Sequence, residues 1–342
     1  MDLFVGLDVS QQTTLLCVVD SAGLEIWKGQ CRTDPANLAT TIRQHAPNAS
    51  RVGLESGSLS TWLWHELKAM GLPIVCIDAR HAKAVLSMQI NKSDRNDALG
   101  LAQIVRTGWY REVKVKAFDS HKVRIAIGAR VQLVRMRTDI MNQVRGLLKL
   151  HGIILPVGRK IDPEKYISGD DLLAHALRAL ASVLASTRTA IRDLEHQIRK
   201  MTNTDEDCRL LQTIPGVGFL TALTFVATVD DPARFKRSRS VGAYLGLTPK
   251  RYQSGDTDHT GRISRCGDRL LRCYLYEAAN ALLSRVTRFS PLKAWGVRFA
   301  GRHGGKKARV AIARKLSVIM HRMLITREPF RWSAVPVTAN AT

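Results

Sequence analysis

A seven-residue, mostly apolar run, Leu3 to Val9 (LFVGLDV), predicts a strand that delivers Asp8 near its end. Thr14 to Val19 and Leu24 to Gly29 predict a following strand pair, turned at Ser21-Ala22-Gly23. The period then lengthens: Pro35 to His45 reads as a helix capped by Asp34. Arg51 to Leu54 is another strand, with Glu55 at its end. Leu59 to Met70 is an amphipathic helix stopped by Gly71, and Pro73 to Ile77 is a buried strand ending at Asp78. In the run KSDRNDALGLAQIVRTG, Ser93 is placed to cap a helix carrying Asp94 and Asp97 about one turn apart on one face.

The order β-β-β-α-β-α-β-α is the one an RNase H-like, or RuvC-like, fold would write, which is an analogy of fold and not of function. From about Ser120 to Leu150, apolar residues such as Val123, Ile127, Val134, Met141, Val144 and Leu148 step by three and four along one long helical face. Asp171 to Met201 repeats that pattern, and Pro156, Gly158, Pro163 and Gly169 mark a connecting loop between the two. Two such helices predict a long hairpin or coiled coil whose stripes are buried together or against a second subunit. Beyond it, LLQTIPGVG followed by Phe219 to Ala227 reads as helix, tight turn, helix. Helical text returns at Asp268 to Ser284 and Lys306 to Leu324, before a short polar tail. The expected architecture is α/β plus α, in four parts. These are a RuvC-like domain at 1–117, a helical hairpin for dimerisation at 118–203, a mainly helical basic domain at 204–332 and a tail at 333–342.

Composition changes this picture in one respect. The formal net charge of +23 is unevenly placed: residues 1–115 hold 12 Lys+Arg against 11 Asp+Glu, whereas residues 232–331 hold 23 against 5. A block of net +18 in one hundred residues points to nucleic acid rather than a membrane surface, because its charges interrupt nearly every segment, where a membrane helix would need a clean apolar face. No apolar run reaches the roughly 18 residues needed to span a bilayer, and the first residues lack the basic-then-apolar order of a signal peptide, so a cytoplasmic location is expected. The six cysteines are scattered without a Cys-x-x-Cys pair, which indicates neither a zinc ribbon nor a disulfide framework.

Against this background four acids stand out. Asp8, Glu55, Asp94 and Asp97 fall at strand ends and on one helical turn, and convergent carboxylates repel unless a cation joins them. Acids at a helix start also complement the macrodipole without further purpose, and Asp78, at another strand end, is a rival member of the set. Ser254, beside Gly255 in a polar, Gly-rich loop between Lys250-Arg251 and Arg262 to Arg265, is either turn chemistry or a nucleophile activated by base, metal or positive charge. Gly216 and Gly218 resemble the turn of helix-hairpin-helix DNA-binding modules, and serve phosphate contact or a tight turn alone. Lys306 and Lys307, with Lys250, Arg251, Arg262 and Arg265, are further candidate nucleic-acid contacts.

GLDVS around Asp8, GLES around Glu55, SDRNDA around Asp94 and Asp97, IPGVG, AYLGLTP and QSG followed by GRISRCGDRLLR together resemble the DEDD-type insertion-sequence transposases, over about residues 3–325 and in that family's order. The resemblance implies an N-terminal RuvC-like domain and a C-terminal serine-bearing transposase domain. It implies that Asp8, Glu55, Asp94 and Asp97 bind divalent metal, Mg2+ or Mn2+, and that Ser254 attacks DNA to form a covalent phosphoserine. It implies donor and target DNA as partners, a structured noncoding guide RNA (a bridge RNA) that pairs with both, and a homo-oligomer, dimer or tetramer, in which one subunit's RuvC-like domain completes a site with another's serine domain. Ser93 stands where many relatives carry threonine. Two rival functions remain at this stage: a metal-dependent RuvC-like Holliday-junction nuclease that uses water, and a noncatalytic architectural DNA-binding protein.

Overall fold

The computed structural model describes residues 2–87, 94–155 and 162–332, without the side chains of Asp94 and Arg95. The expected cap Ser93 and the tail from residue 333 lie outside the described residues. The chain forms two compact units, Met1–Lys116 and Ala117–Thr342.

The first unit is built from β1 (Leu3–Val9), β2 (Thr13–Val19), β3 (Glu25–Arg32), α1 (Pro35–His45), β4 (Ala49–Glu55), α2 (Ser60–Ala69), β5 (Ile74–Ile77), α3 (Ala79–Leu86) and α4 (Asp94–Thr107). The strands form one mixed sheet in the order β3-β2-β1-β4-β5. β1 to β3 are antiparallel, whereas β4 runs parallel to both β1 and β5. Alternation sorts the side chains to two faces. Val5, Leu7, Val52 and Leu54 pack with Leu38, Ile42, Leu63 and Leu67 of α1 and α2. On the opposite face Phe4, Cys17 and Val19 meet Ala98 and Ala102 of α4.

Gly6 determines how closely α4 can lie. A Cβ built there would stand 2.2 Å from the Ala98 carbonyl oxygen and 2.4 Å from the Ala102 nitrogen, both backbone atoms that cannot swing aside. Gly53, its partner on β4, is filled in the same way by the Val105 side chain. Gly6→Ala is therefore expected to destabilise this unit by about 3 kcal/mol, read as a lowered midpoint in thermal denaturation, because the whole helix must move. An unchanged midpoint would contradict this packing.

The second unit begins with two 33-residue helices, α5 (Phe118–Leu150) and α6 (Leu172–Thr204), which form the expected hairpin. Val144, Leu148 and Leu177 bury its far end, and the Arg130 guanidinium donates to the Glu195 carboxylate at 2.5 Å along its length. Its base, with Ile127 and Ile198, shares a core with α7 (Glu206–Leu211), α8 (Phe219–Val229), α9 (Arg239–Tyr244), α10 (Arg269–Ser284), α11 (Pro291–His303) and α12 (Gly305–Thr326). Asp171 and Asp268 cap α6 and α10 by accepting from Ala174 N and Leu271 N.

One expectation is corrected here. The polar stretch around Ser254 is not an irregular loop but a β-hairpin, β6 (Pro249–Ser254) paired antiparallel with β7 (Thr257–Ile263). The turn is Gly255-Asp256, with Gly255 at φ +54°, the left-handed geometry that glycine supplies at the first central position of a tight hairpin turn. Among the described residues no helix is long and apolar enough to cross a membrane.

Candidate functional site

Asp8 and Glu55 leave the sheet side by side. In the parallel β1–β4 ladder Leu7 pairs with Leu54, so the next residue on each strand is an acid, with adjacent strands ~4.8 Å apart. Both acids follow the face of Gly6 and Gly53, which is the face that α4 covers. Helix direction completes the arrangement: Val105, late in α4, packs near the strand starts with Phe4, whereas Ala98 packs with Leu15, the cross-strand partner of Asp8. α4 therefore runs antiparallel to β1 and β4, and its N-terminus faces their carboxyl ends. Asp94 opens the helix and Asp97 sits on its first turn, one residue before the buried Ala98.

The structure thus brings the backbone positions of all four acids to one end of the sheet, where open α/β folds place their sites. Asp8, Glu55 and Asp97 are half-buried. Among the described residues no three acid, histidine or cysteine side chains are already drawn together at metal-holding distance. Asp78, the rival acid, has another task. It caps α3 by accepting from Arg80 N at 2.9 Å, and its two carboxylate oxygens take the Arg80 guanidinium at 3.1 and 2.7 Å. The hydrogen-bonded Arg80 holds the carboxyl at about 2, below the usual carboxylate range.

Ser254 is exposed at the tip of the hairpin, in the second unit. It pairs with Thr257, and Tyr252 pairs with His259, so these four residues share one face. The opposite face carries Arg251, whose guanidinium donates to both Asp258 oxygens at 2.8 and 2.6 Å. Arg251 is therefore engaged within the hairpin, while the His259 ring lies on the serine's own side. Sequence reasoning passed over Tyr252 and His259; the two-residue alternation counted back from the Gly255 turn would have found them.

The glycine turn also acquires a specific role. Gly216, at φ +87°, lies against α10, where a Cβ would come within 2.6 Å of the Ala278 carbonyl oxygen and 3.0 Å of the Leu282 nitrogen. Close packing accounts for that glycine. Gly218 caps α8 on the exposed side with open space around it. The thiols divide by burial: it pushes Cys17 and Cys76 up to about 11 and Cys208 higher still, whereas Cys266 and Cys273 are exposed.

Residues 5–153 match the profile of the DEDD transposase of IS110 elements, and residues 208–293 match that of the transposase IS116/IS110/IS902 family. The transposase for insertion sequence element IS1111A of Coxiella burnetii is 31% identical over 340 residues, covering 96% of this chain and 92% of that protein. The chain belongs to the IS110-type insertion-sequence transposases. It is a DNA-processing enzyme, and a DEDD domain of this kind implies a divalent metal. The transposase for insertion sequence element IS1328 of Yersinia enterocolitica is 26% identical over 275 residues, covering 78% of this transposase and 81% of its relative. A pilin gene-inverting protein of Moraxella bovis is 29% identical over 147 residues, covering 41% and 45%.

Proposed function

We propose that this transposase cuts and rejoins DNA through a covalent phosphoserine at Ser254, assisted by divalent metal held by Asp8, Glu55, Asp94 and Asp97, in the cytoplasm and under the guidance of a structured noncoding RNA. The observation that carries the reading is the delivery of Asp8 and Glu55 at neighbouring parallel strand ends, in front of the helix that Asp94 and Asp97 begin. The strand order β3-β2-β1-β4-β5, with its antiparallel first three strands, supports an RNase H-like first unit.

The donor set fits a hard cation, since all four are carboxylates and oxygen ligands suit Mg2+ or Mn2+. When bound, such an ion supplies positive charge that polarises the scissile phosphate. The chain's own residues do the remaining work. The Ser254 Oγ attacks phosphorus and forms a new P–O bond; the bond to a deoxyribose oxygen breaks, and that oxygen leaves with a proton. The serine's proton passes to a base, for which His259 stands on the same face of the hairpin. Attack by a second strand's hydroxyl on the phosphoserine reverses the step, releases Ser254 and reseals the backbone.

The acids and Ser254 belong to different units, so subunits of a dimer or tetramer can each contribute one half of a site. Ile125, Met136 and Val183, exposed on α5 and α6, support self-association through the hairpin. The +18 block supports binding of several backbones at once, and guidance by base pairing would leave the protein to recognise duplex shape and phosphate.

The test separates this reading from hydrolysis by water. The element, with its own flanking noncoding DNA, is supplied on a plasmid in cells expressing the chain, and the products are sequenced. Rejoined donor–target junctions are expected; breaks or nicks that never join would contradict the reading.

A further inference from the structure

We infer that a cleft between α11, α12 and the foot of the β6–β7 hairpin holds an unpaired DNA strand by stacking its bases. The cleft has a volume of about 1450 Å3. Its aromatic wall is Trp295 and Phe299 of α11. His303 continues the four-residue spacing on the same helical face, outside the lining of the cleft. Ring centroids are 5.1 Å apart for Trp295 and Phe299, tilted by 31°, and 4.4 Å apart for Phe299 and His303, tilted by 38°. The Lys315 ammonium lies 4.3 Å over the Trp295 ring. Val310, Val318 and Ile319 of α12 make the floor.

The rim selects the occupant. Arg262, Arg265, Lys306, Lys307, Arg314 and Lys315 surround the apolar surface, and no acidic residue lines the cleft among the described residues. An ordinary apolar peptide would bury its groove against six cations with no counter-charge. A nucleic-acid strand satisfies both halves, phosphates toward the rim and base faces toward the rings. Paired DNA satisfies only the first, because its base faces are already covered by stacking, so the rings favour a strand that has been separated. DNA is the substrate class of the family, and it is the occupant assigned here.

Position gives the site its use. Pro249, at the foot of β6, lines the cleft, and Ser254 is five residues further along the same strand, or ~17 Å at ~3.4 Å per residue. A strand anchored on the rings therefore lies within reach of the serine hydroxyl. That consequence rests on the proposed role of Ser254, whereas the binding itself does not.

The test uses the full chain in EDTA, so that affinity is measured apart from cleavage and either proposal can fail without the other. Fluorescence anisotropy compares a short labelled oligothymidylate with a duplex of the same length. Trp295→Ala and Phe299→Ala are each expected to weaken oligothymidylate binding by roughly 5- to 150-fold, the usual loss of one stacked base, with duplex affinity within about twofold of the parent. Equal loss on both ligands, or no loss, overturns the proposal; so does tighter binding of oligouridylate than oligothymidylate, which would reassign the cleft to RNA. A second measurement avoids any folding defect in the variants. Ultraviolet crosslinking of an iodouracil-substituted DNA strand to the parent protein is expected to label Trp295 or Phe299, and labelling confined to other peptides contradicts the assignment.

Discussion

Replacing Ser254 by alanine is expected to lower strand cleavage by at least ~10^4-fold and to abolish every covalent protein–DNA product, because a lost nucleophile removes the reaction path and not one contact. The fold should survive the change. Ser254 is exposed at the last residue of β6, the hairpin is held by its ladder and by Arg251 with Asp258, and alanine keeps the strand geometry. Binding to duplex DNA should stay within about twofold, since the substitution removes no charge. Comparison of cleavage rates at saturating DNA isolates the chemical step. Cleavage within tenfold of the parent would mean that water is the nucleophile and that Ser254 serves only the turn.

The second large effect is expected at Asp8. Asp8→Asn keeps the size of the side chain and its place beside Leu7 in β1, but removes the negative charge with which it would hold the proposed cation. Cleavage with saturating Mg2+ should fall by on the order of 10^3-fold, consistent with the several kcal/mol that a metal clamp contributes to phosphoryl transfer. Melting in EDTA should be little changed, whereas the rise in melting temperature that Mg2+ gives the parent should be lost, because a ligand that binds only the folded state stabilises by mass action. A variant that keeps its Mg2+-dependent rise and its cleavage would remove Asp8 from the metal set.

The sequence carried the first unit further than the second, for a physical reason. β1 and β4 are legible because a buried apolar run ends abruptly in an acid, as in Val5-Gly6-Leu7-Asp8 and Val52-Gly53-Leu54-Glu55. α1 is legible because Asp34 accepts from Asn37 N, as its place before Pro35 predicts. Periodicity records contrast in burial, and β6 and β7 have almost none: every residue from Pro249 to Arg262 is exposed, so no alternation marks the strands. α11 hid for the opposite reason. Gly296 and Gly301 look like helix breakers, yet a Cβ on Gly296 would stand 2.5 Å from Ile312 Cδ1, so the glycine is what lets α12 approach. Asp78 illustrates the limit at the site itself. From the chain alone it has the same claim as Glu55, and only the start of α3 behind it shows that Arg80 and the helix amide take its carboxylate. The cleft was the least visible feature, because its cations come from two separated segments, the end of β7 and α12, and only the fold brings Arg262, Lys306 and Arg314 around Trp295.

A search for a DNA–protein adduct bears most directly on the phosphoserine at the centre of this account. The chain, Mg2+ and end-labelled element DNA are quenched in detergent, separated on a denaturing gel, and the shifted DNA is digested with protease and mapped. The account predicts a protease-sensitive adduct whose nucleotide-bearing peptide carries the modification on Ser254. Cleaved DNA with free ends and no adduct at any time point would contradict it.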